Sequence, residues 1–183
     1  MSRIPTPSTI AAAPAAAQPL LEAVRKQIGS APNLFRLTAT SPAALEGYLG
    51  LNGALAKGAL NAATRERIAL AIAQVNGCGY CLAAHSYIGS NVAKLSDSEL
   101  IANRSGRSED PRANAAVVFA VKVATDRGAI SDVDFALVRA AGYSDAEIVE
   151  IVAHVALNTL TNYVNEVFKT EVDFPVVPVI LAA

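Results

Sequence analysis

The only two cysteines of this 183-residue chain stand three apart, in Cys78-Gly79-Tyr80-Cys81, and one of its only two histidines, His85, follows four residues later. Thiols at this spacing can cycle between dithiol and disulfide, or share a metal ion with the imidazole. On a helix, at about 100° per residue, Cys78, Cys81 and His85 fall near about 0°, 300° and 340°, a single narrow stripe. Asn76-Gly77 is a helix stop, so Cys78 is expected in the first turn of a new helix, where free N–H groups and the positive dipole end lower a thiol pKa. The size of that effect matters. A thiol of pKa ~8.5 is only about 3% thiolate at pH 7, and a drop of ~2 units makes thiolate the majority form. His85 can add to this as an imidazolium partner or a proton acceptor.

Three readings of the motif stand side by side. The first is a redox dithiol. The second is a zinc site, with Cys78, Cys81 and His85 as ligands and His154, a carboxylate or water as the fourth. The third is a pair of small buried cysteines in a core helix. The coincidence of spacing, glycine and histidine favours the first. A thioredoxin-like setting is set aside, because there the motif follows a strand, whereas here it follows Thr64–Val75, a segment apolar nearly all round and expected to be a buried helix.

The remaining elements are also helical. Leu20–Ile28 ends at Gly29, Pro32–Leu37 forms a short piece, and Ser41-Pro42 opens a helix with Leu45, Tyr48, Leu49, Leu51 and Leu55 on its apolar face. The dithiol helix is expected to run to about Val92. Ser96–Glu99 and Ser144–Glu147 read as capping boxes, the second opening the longest helix, to about Thr170. A polar loop is expected over Arg104–Pro111, and helices over Asn114–Asp126 and from Ser131 to Gly142. The fold class is therefore all-α, with about seven or eight helices. Residues 1–17, punctuated by prolines, are expected as a flexible arm, 18–172 as the helical domain, and 173–183 as an extended apolar tail that docks on this subunit or a neighbour.

Composition narrows the partners. Hydrophobic residues make up 52%, and 15 basic against 16 acidic residues give a net charge of -1 with no basic block. Nucleic acid and membranes are not expected partners. No apolar run approaches the ~20 residues of a membrane span, and the N-terminus is a poor signal peptide. A cytoplasmic location is the default, and in that reducing compartment a lone C-x-x-C points to chemistry rather than to a structural staple.

Glu66 lies twelve residues before Cys78. The pattern Glu66-x11-Cys78-x2-Cys81-x3-His85, set in Thr64-Arg65-Glu66-Arg67-Ile68-Ala69-Leu70 and Asn76-Gly77-Cys78-Gly79-Tyr80-Cys81, resembles the AhpD-like alkylhydroperoxidases of the carboxymuconolactone decarboxylase superfamily. The likeness is to the peroxidase-related branch, where Pro32-Asn33-Leu34-Phe35, Ser41-Pro42, Asn162-Tyr163 and Asp173-Phe174-Pro175 also look similar, so that it covers roughly residues 30–178. Tyr80 stands where some members place a second histidine. The decarboxylase branch typically lacks the paired cysteines, and here this chain departs from it.

The resemblance implies an AhpD-like helical bundle that reduces alkyl hydroperoxides without a cofactor or metal. It implies that Cys81 attacks the peroxide, Cys78 resolves the sulfenic acid, and Glu66 and His85 relay protons. An unidentified dithiol would be the reductant, and the assembly a homo-oligomer, a trimer or hexamer. The helix-terminus argument alone instead favours Cys78 as the more acidic thiol. If the two helices fold back on each other, Glu66 lies ~16 Å from the turn and His85 ~10 Å, so Glu66 meets His85 more readily than Cys78. The plainer reading of Glu66 is a first-turn acid complementing the helix dipole. A metal-binding structural protein and a non-redox lyase or decarboxylase on the same scaffold are the competing functions. His154, Asn158, Thr161 and Asn165 form a stripe on the last long helix that is read as a solvent or interface face in preference to a pocket wall. Arg36, Arg65, Arg67 and Tyr48 receive no role.

Overall fold

The computed structural model describes residues 2–179. Among them are nine α-helices and no strand: α1 Gln18–Ile28, α2 Asn33–Thr38, α3 Pro42–Leu55, α4 Ala62–Val75, α5 Gly79–Asn91, α6 Asp97–Arg104, α7 Pro111–Thr125, α8 Asp132–Ala140 and α9 Asp145–Phe168. The all-α expectation holds. The centre is α4, which packs against α5, α6, α7 and α9. Its sequence explains that position. Ile68 and Ile72, one turn apart, join a core with Phe119, Val123, Ile148 and Ile151. Leu70 and Ala73, on the other side of the same helix, join a second core with Leu34, Leu82 and both cysteines.

The turn from α4 to α5 takes three residues, Asn76, Gly77 and Cys78. Gly77 adopts φ +65, the left-handed conformation that closes a helix, and Cys78 N–H reaches back to Ala73 C=O at 2.9 Å. Cys78 thus ends one helix and caps the next: its Sγ accepts from Cys81 N–H at 3.2 Å, the place an Asn or Ser oxygen usually takes. The backbone reversal and the position of the first sulfur are one feature.

The two capping boxes differ. Ser144 and Glu147 form both reciprocal bonds. At α6, Ser96 Oγ accepts from Glu99 N–H, but the Glu99 carboxylate turns inward to Arg67, Asn103, Ser108 and the Glu109 amide. The inward partners offer the carboxylate more donors than one cap N–H would. The loop before α7 is shorter than expected, since Arg104 closes α6 and Pro111 already begins α7 behind an Asp110 cap.

Residues 2–17, expected as a flexible arm, lie against the bundle. Arg3 bonds through its backbone N–H to Phe168 C=O at 2.7 Å, and Ala13 and Ala17 are buried with Leu21 and Leu45. Arg36 fastens this segment through Pro7 C=O and Ser8 C=O. The tail also docks on its own chain. Asp173 accepts from Asn33 N–H at 2.8 Å and from the Tyr80 hydroxyl at 2.7 Å, Phe174 packs edge-on against Tyr80, and Arg104 donates to Pro178 C=O. Ile180 and Leu181, counted in the sequence as part of the apolar tail, lie outside the described residues.

Candidate active site

Cys78 and Cys81 are both buried free thiols with their sulfurs 2.6 Å apart. His85 stands one turn beyond Cys81 on α5, and its Nδ1 meets Glu66 Oε2 at 2.8 Å. The fold-back of α4 on α5 therefore joins Glu66 to His85, as the along-helix distances suggested. Glu66 is not a first-turn acid: Asn61 caps α4 two residues earlier than expected, and Glu66 becomes its fifth residue. The contact with Nδ1 orients the ring and leaves Nε2 as the nitrogen free to exchange a proton.

Cys81, His85 and Glu66 line one small cavity of about 100 Å³, and Cys78 lies behind Cys81, outside its lining. Tyr80, from between the cysteines, contributes a wall, while its hydroxyl accepts from Leu34 N–H and donates to Asp173. Tyr80 thereby joins the dithiol helix to α2 and the tail.

Across the cavity stand His154, Asn158 and Thr161 of α9. The stripe read as a solvent or interface face is buried, with Asn165 only 2% exposed, and it walls the site. Asn165 Nδ2 donates to Cys81 Sγ at 3.2 Å. The helical spacing was visible in the sequence; that α9 covers the dithiol was not. Tyr48 and Arg65 also face the cavity, and Arg65 is held there by Leu60 C=O at 2.7 Å.

The electrostatics separate the two sulfurs. The Cys81 pKa is lowered to about 7, first by the hydrogen bond from Cys78, against the cost of burial, and then by the charge of His85 and the amides of Asn165 and Asn162. The Cys78 thiol is pushed up by its hydrogen bond to Cys81, by burial and by the negative charge of a Cys81 thiolate. The more acidic thiol is Cys81, not Cys78 as the helix terminus alone suggested, because the positive and donor groups converge on Cys81. Burial depresses the His85 imidazolium, but the Glu66 carboxylate, by charge and hydrogen bond, and Cys81 outweigh it, and the His85 pKa is raised. His154 is driven the other way, to about 4, by burial and then by Arg65, so it is neutral at pH 7. Burial, with the charges of Cys81 and Glu66, raises the Tyr48 phenol, which stays protonated.

Among the described residues no group of three or more His, Cys, Asp and Glu side chains is arranged to hold a metal ion. The Cys78, Cys81, His85 and His154 set weighed as a zinc site does not converge as one.

Fold and site together define an all-helical protein with a buried dithiol beside a Glu–His pair. The carboxymuconolactone decarboxylase family model matches residues 42–126. A solved structure with the alkylhydroperoxidase AhpD core, an uncharacterized peroxidase-related protein from Ralstonia eutropha JMP134, is 26% identical, covers 94% of this chain and 92% of its own, and superposes with a TM-score of 0.84. An uncharacterized peroxidase-related protein from Silicibacter sp. TM1040 is 22% identical over 93% of this chain and 91% of its own, with a TM-score of 0.79. The debrominase Bmp8, as a cysteine-to-alanine variant with 2,3,4-tribromopyrrole, shares the fold at 20% identity, 94% coverage of both chains and a TM-score of 0.78. Comparison with curated proteins gives no match. The central part of the chain thus matches the carboxymuconolactone decarboxylase family model, and the whole chain is similar in fold to AhpD-like, peroxidase-related proteins. Among the described residues no helix is long and apolar enough to cross a membrane.

Proposed function

We propose that this protein is a thiol-dependent peroxidase that reduces small hydroperoxides through Cys81 and Cys78. The observation that carries this reading is the shared cavity: the more acidic sulfur opens on the same space as the His85–Glu66 pair, and the second sulfur lies 2.6 Å behind it. The Cys81 thiolate attacks the distal peroxide oxygen. An S–O bond forms, the O–O bond breaks, and the alkoxide takes a proton from the His85 imidazolium to leave as the alcohol. Cys78 sulfur then attacks Cys81 sulfur. The S–S bond forms, hydroxide departs and leaves as water with the proton shed by Cys78, and the two electrons given to the peroxide have come from the dithiol. An external dithiol restores the pair by exchange and is itself oxidised to a disulfide. Glu66 keeps His85 charged and oriented.

A cytoplasmic, homo-oligomeric enzyme, trimer or hexamer, completes the proposal. Val149, Val152, Leu160, Tyr163 and Val167 form an exposed apolar run along α9 that supports self-association. Light scattering on the purified chain tests the assembly, and a monomer would remove that part. The chemistry is tested by turnover of tert-butyl hydroperoxide with dithiothreitol. No turnover by the wild type, or full activity of Cys81→Ser, would sink the peroxidase reading. A lyase activity that survived loss of both cysteines would replace it.

A further inference from the structure

We propose that Asn165, with Asn162 beside it, forms an amide cradle on α9 that binds the Cys81 sulfur and makes Cys81, rather than Cys78, the thiolate of the pair. The proposal deepens the peroxidase reading and rests on it for its purpose, but its physical content is a property of the reduced protein alone.

Asn165 is 2% exposed, and its Nδ2 sits 3.2 Å from Cys81 Sγ. Asn162 is fully buried. Its Oδ1 accepts from Asn76 Nδ2 at 2.9 Å, which fixes the amide and leaves Nδ2 as a buried donor without a hydrogen-bond partner among the described residues. Burying two amides without full use of their polar atoms is costly, and the Oδ1 of Asn165 is likewise unpartnered. A structural role would more readily be filled by apolar side chains. A thiolate changes the balance, because a hydrogen bond to a charged acceptor is roughly twice as strong as a neutral one. Asn165 favours the Cys81 thiolate by direct hydrogen bond, and the unpaired Asn162 donor adds to the positive side of the local field. The hydrogen bonds of the Cys78 sulfur are made with the Cys81 sulfur and N–H.

The two sulfurs otherwise have similar claims on the proton. Both lie in the first turn of α5 or at its cap, both are buried, and each is bonded to the other. The asymmetry comes from what is brought to them: His85 from the same helix, and Asn165 from 84 residues away. The amides lie apart from the His85–Glu66 pair, so the thiolate is held from α9 while the proton donor works from α5. Asn165 touches a reacting atom and counts as catalytic; Asn162 and Asn76 are positioning residues.

The test uses the full chain with Cys78→Ser, so that Cys81 is the only thiol, and follows the pH dependence of its alkylation by iodoacetamide. In this background Asn165→Leu should raise the Cys81 pKa by about 1 unit or more, slowing alkylation at a pH below both values about tenfold. Asn165→Ala, which admits water as a substitute donor, should raise it less. Asn162→Leu should raise it by a smaller step than Asn165→Leu. In the parent itself, the Asn165 side-chain amide signal in 15N NMR should titrate with Cys81, a readout that needs no variant to fold. An Asn165 signal that ignores the titration, or a cooperatively melting Asn165→Leu variant with an unmoved Cys81 pKa, would overturn the cradle. The measurement involves no peroxide, so a shifted pKa in a protein that turns over no peroxide would sustain the cradle and defeat the peroxidase reading alone.

Discussion

A half-buried carboxylate on α4, Glu66, and a buried one packed against that helix, Glu99, make opposite use of their surroundings. Glu99 accepts four hydrogen bonds, from Arg67 Nε at 2.5 Å, Ser108 Oγ at 2.5 Å, the Glu109 amide at 2.7 Å and Asn103 Nδ2 at 2.9 Å. Burial works to raise its pKa, and these donors bring it down to about 2 instead. Glu66, one residue before Arg67 in the chain, has one strong partner, His85, and the edge of a cavity. A carboxylate held by four donors holds a structure together. One with a single titratable partner and open space beside it can pass a proton on. Saturation, more than burial or charge, separates the clamp from the candidate site.

The contrast can be broken at either end. The largest effect is expected from Cys81→Ser, which should lower peroxide turnover by at least about 10³-fold with a melting temperature close to wild type, because the serine hydroxyl is not ionised at pH 7; steady-state kinetics and calorimetry check the two halves. Glu99→Gln should do the reverse. It strands Arg67 and should cost about 3 kcal/mol of stability by urea unfolding, while turnover below the melting range stays within about twofold of wild type. A loss of turnover with stability intact would erase the distinction between the two carboxylates.

The pH dependence of the clamp has a definite sign. The folded Glu99 pKa lies below its ordinary value of 4.5, so its contribution is fully present above that value and is lost as pH falls toward about 2. Stability measured between those limits should drop in wild type and drop less in Glu99→Gln. Glu66→Gln sharpens the other end. It should lower turnover about 10²-fold and move the alkaline limb of the pH–rate profile to lower pH, since the raised His85 pKa depends on the Glu66 charge. The smallest effect is expected from Gly77→Ala. An alanine at φ +65 costs about 1 kcal/mol, and melting should fall accordingly.

Much of this was legible in the letters. Apolar residues all round α4 placed it at the centre, Asn76-Gly77 located the turn, and the spacing of Glu66, Cys78, Cys81 and His85 anticipated the pair of helices that brings them together. What helical periodicity cannot reveal is which element covers a given face. The His154–Asn165 stripe looked like surface because polar residues usually are, and only the packing of α9 over α5 turns it into a cavity wall. Glu99 misled for a related reason. Ser96–Glu99 fits a capping box locally, but Arg67, Asn103 and Ser108 outbid the cap from outside the four-residue window. Tyr48 and Arg65 carried no signal, since their place depends on how α3 and the start of α4 meet α9.

The three-residue turn around Gly77 also orders events in time. The sulfurs are neighbours through contacts only three residues apart, which close on the timescale of helix formation, whereas the Asn165 contact spans 84 residues and waits for the rest of the bundle. We expect the dithiol to be paired early in folding and activated late. A refolding chain would then pass its most exposed stage with thiols of ordinary acidity, and the Asn165 side-chain amide, followed by hydrogen exchange at successive refolding times, checks this: its protection should appear only with the final phase, and its appearance in the first would refute the order.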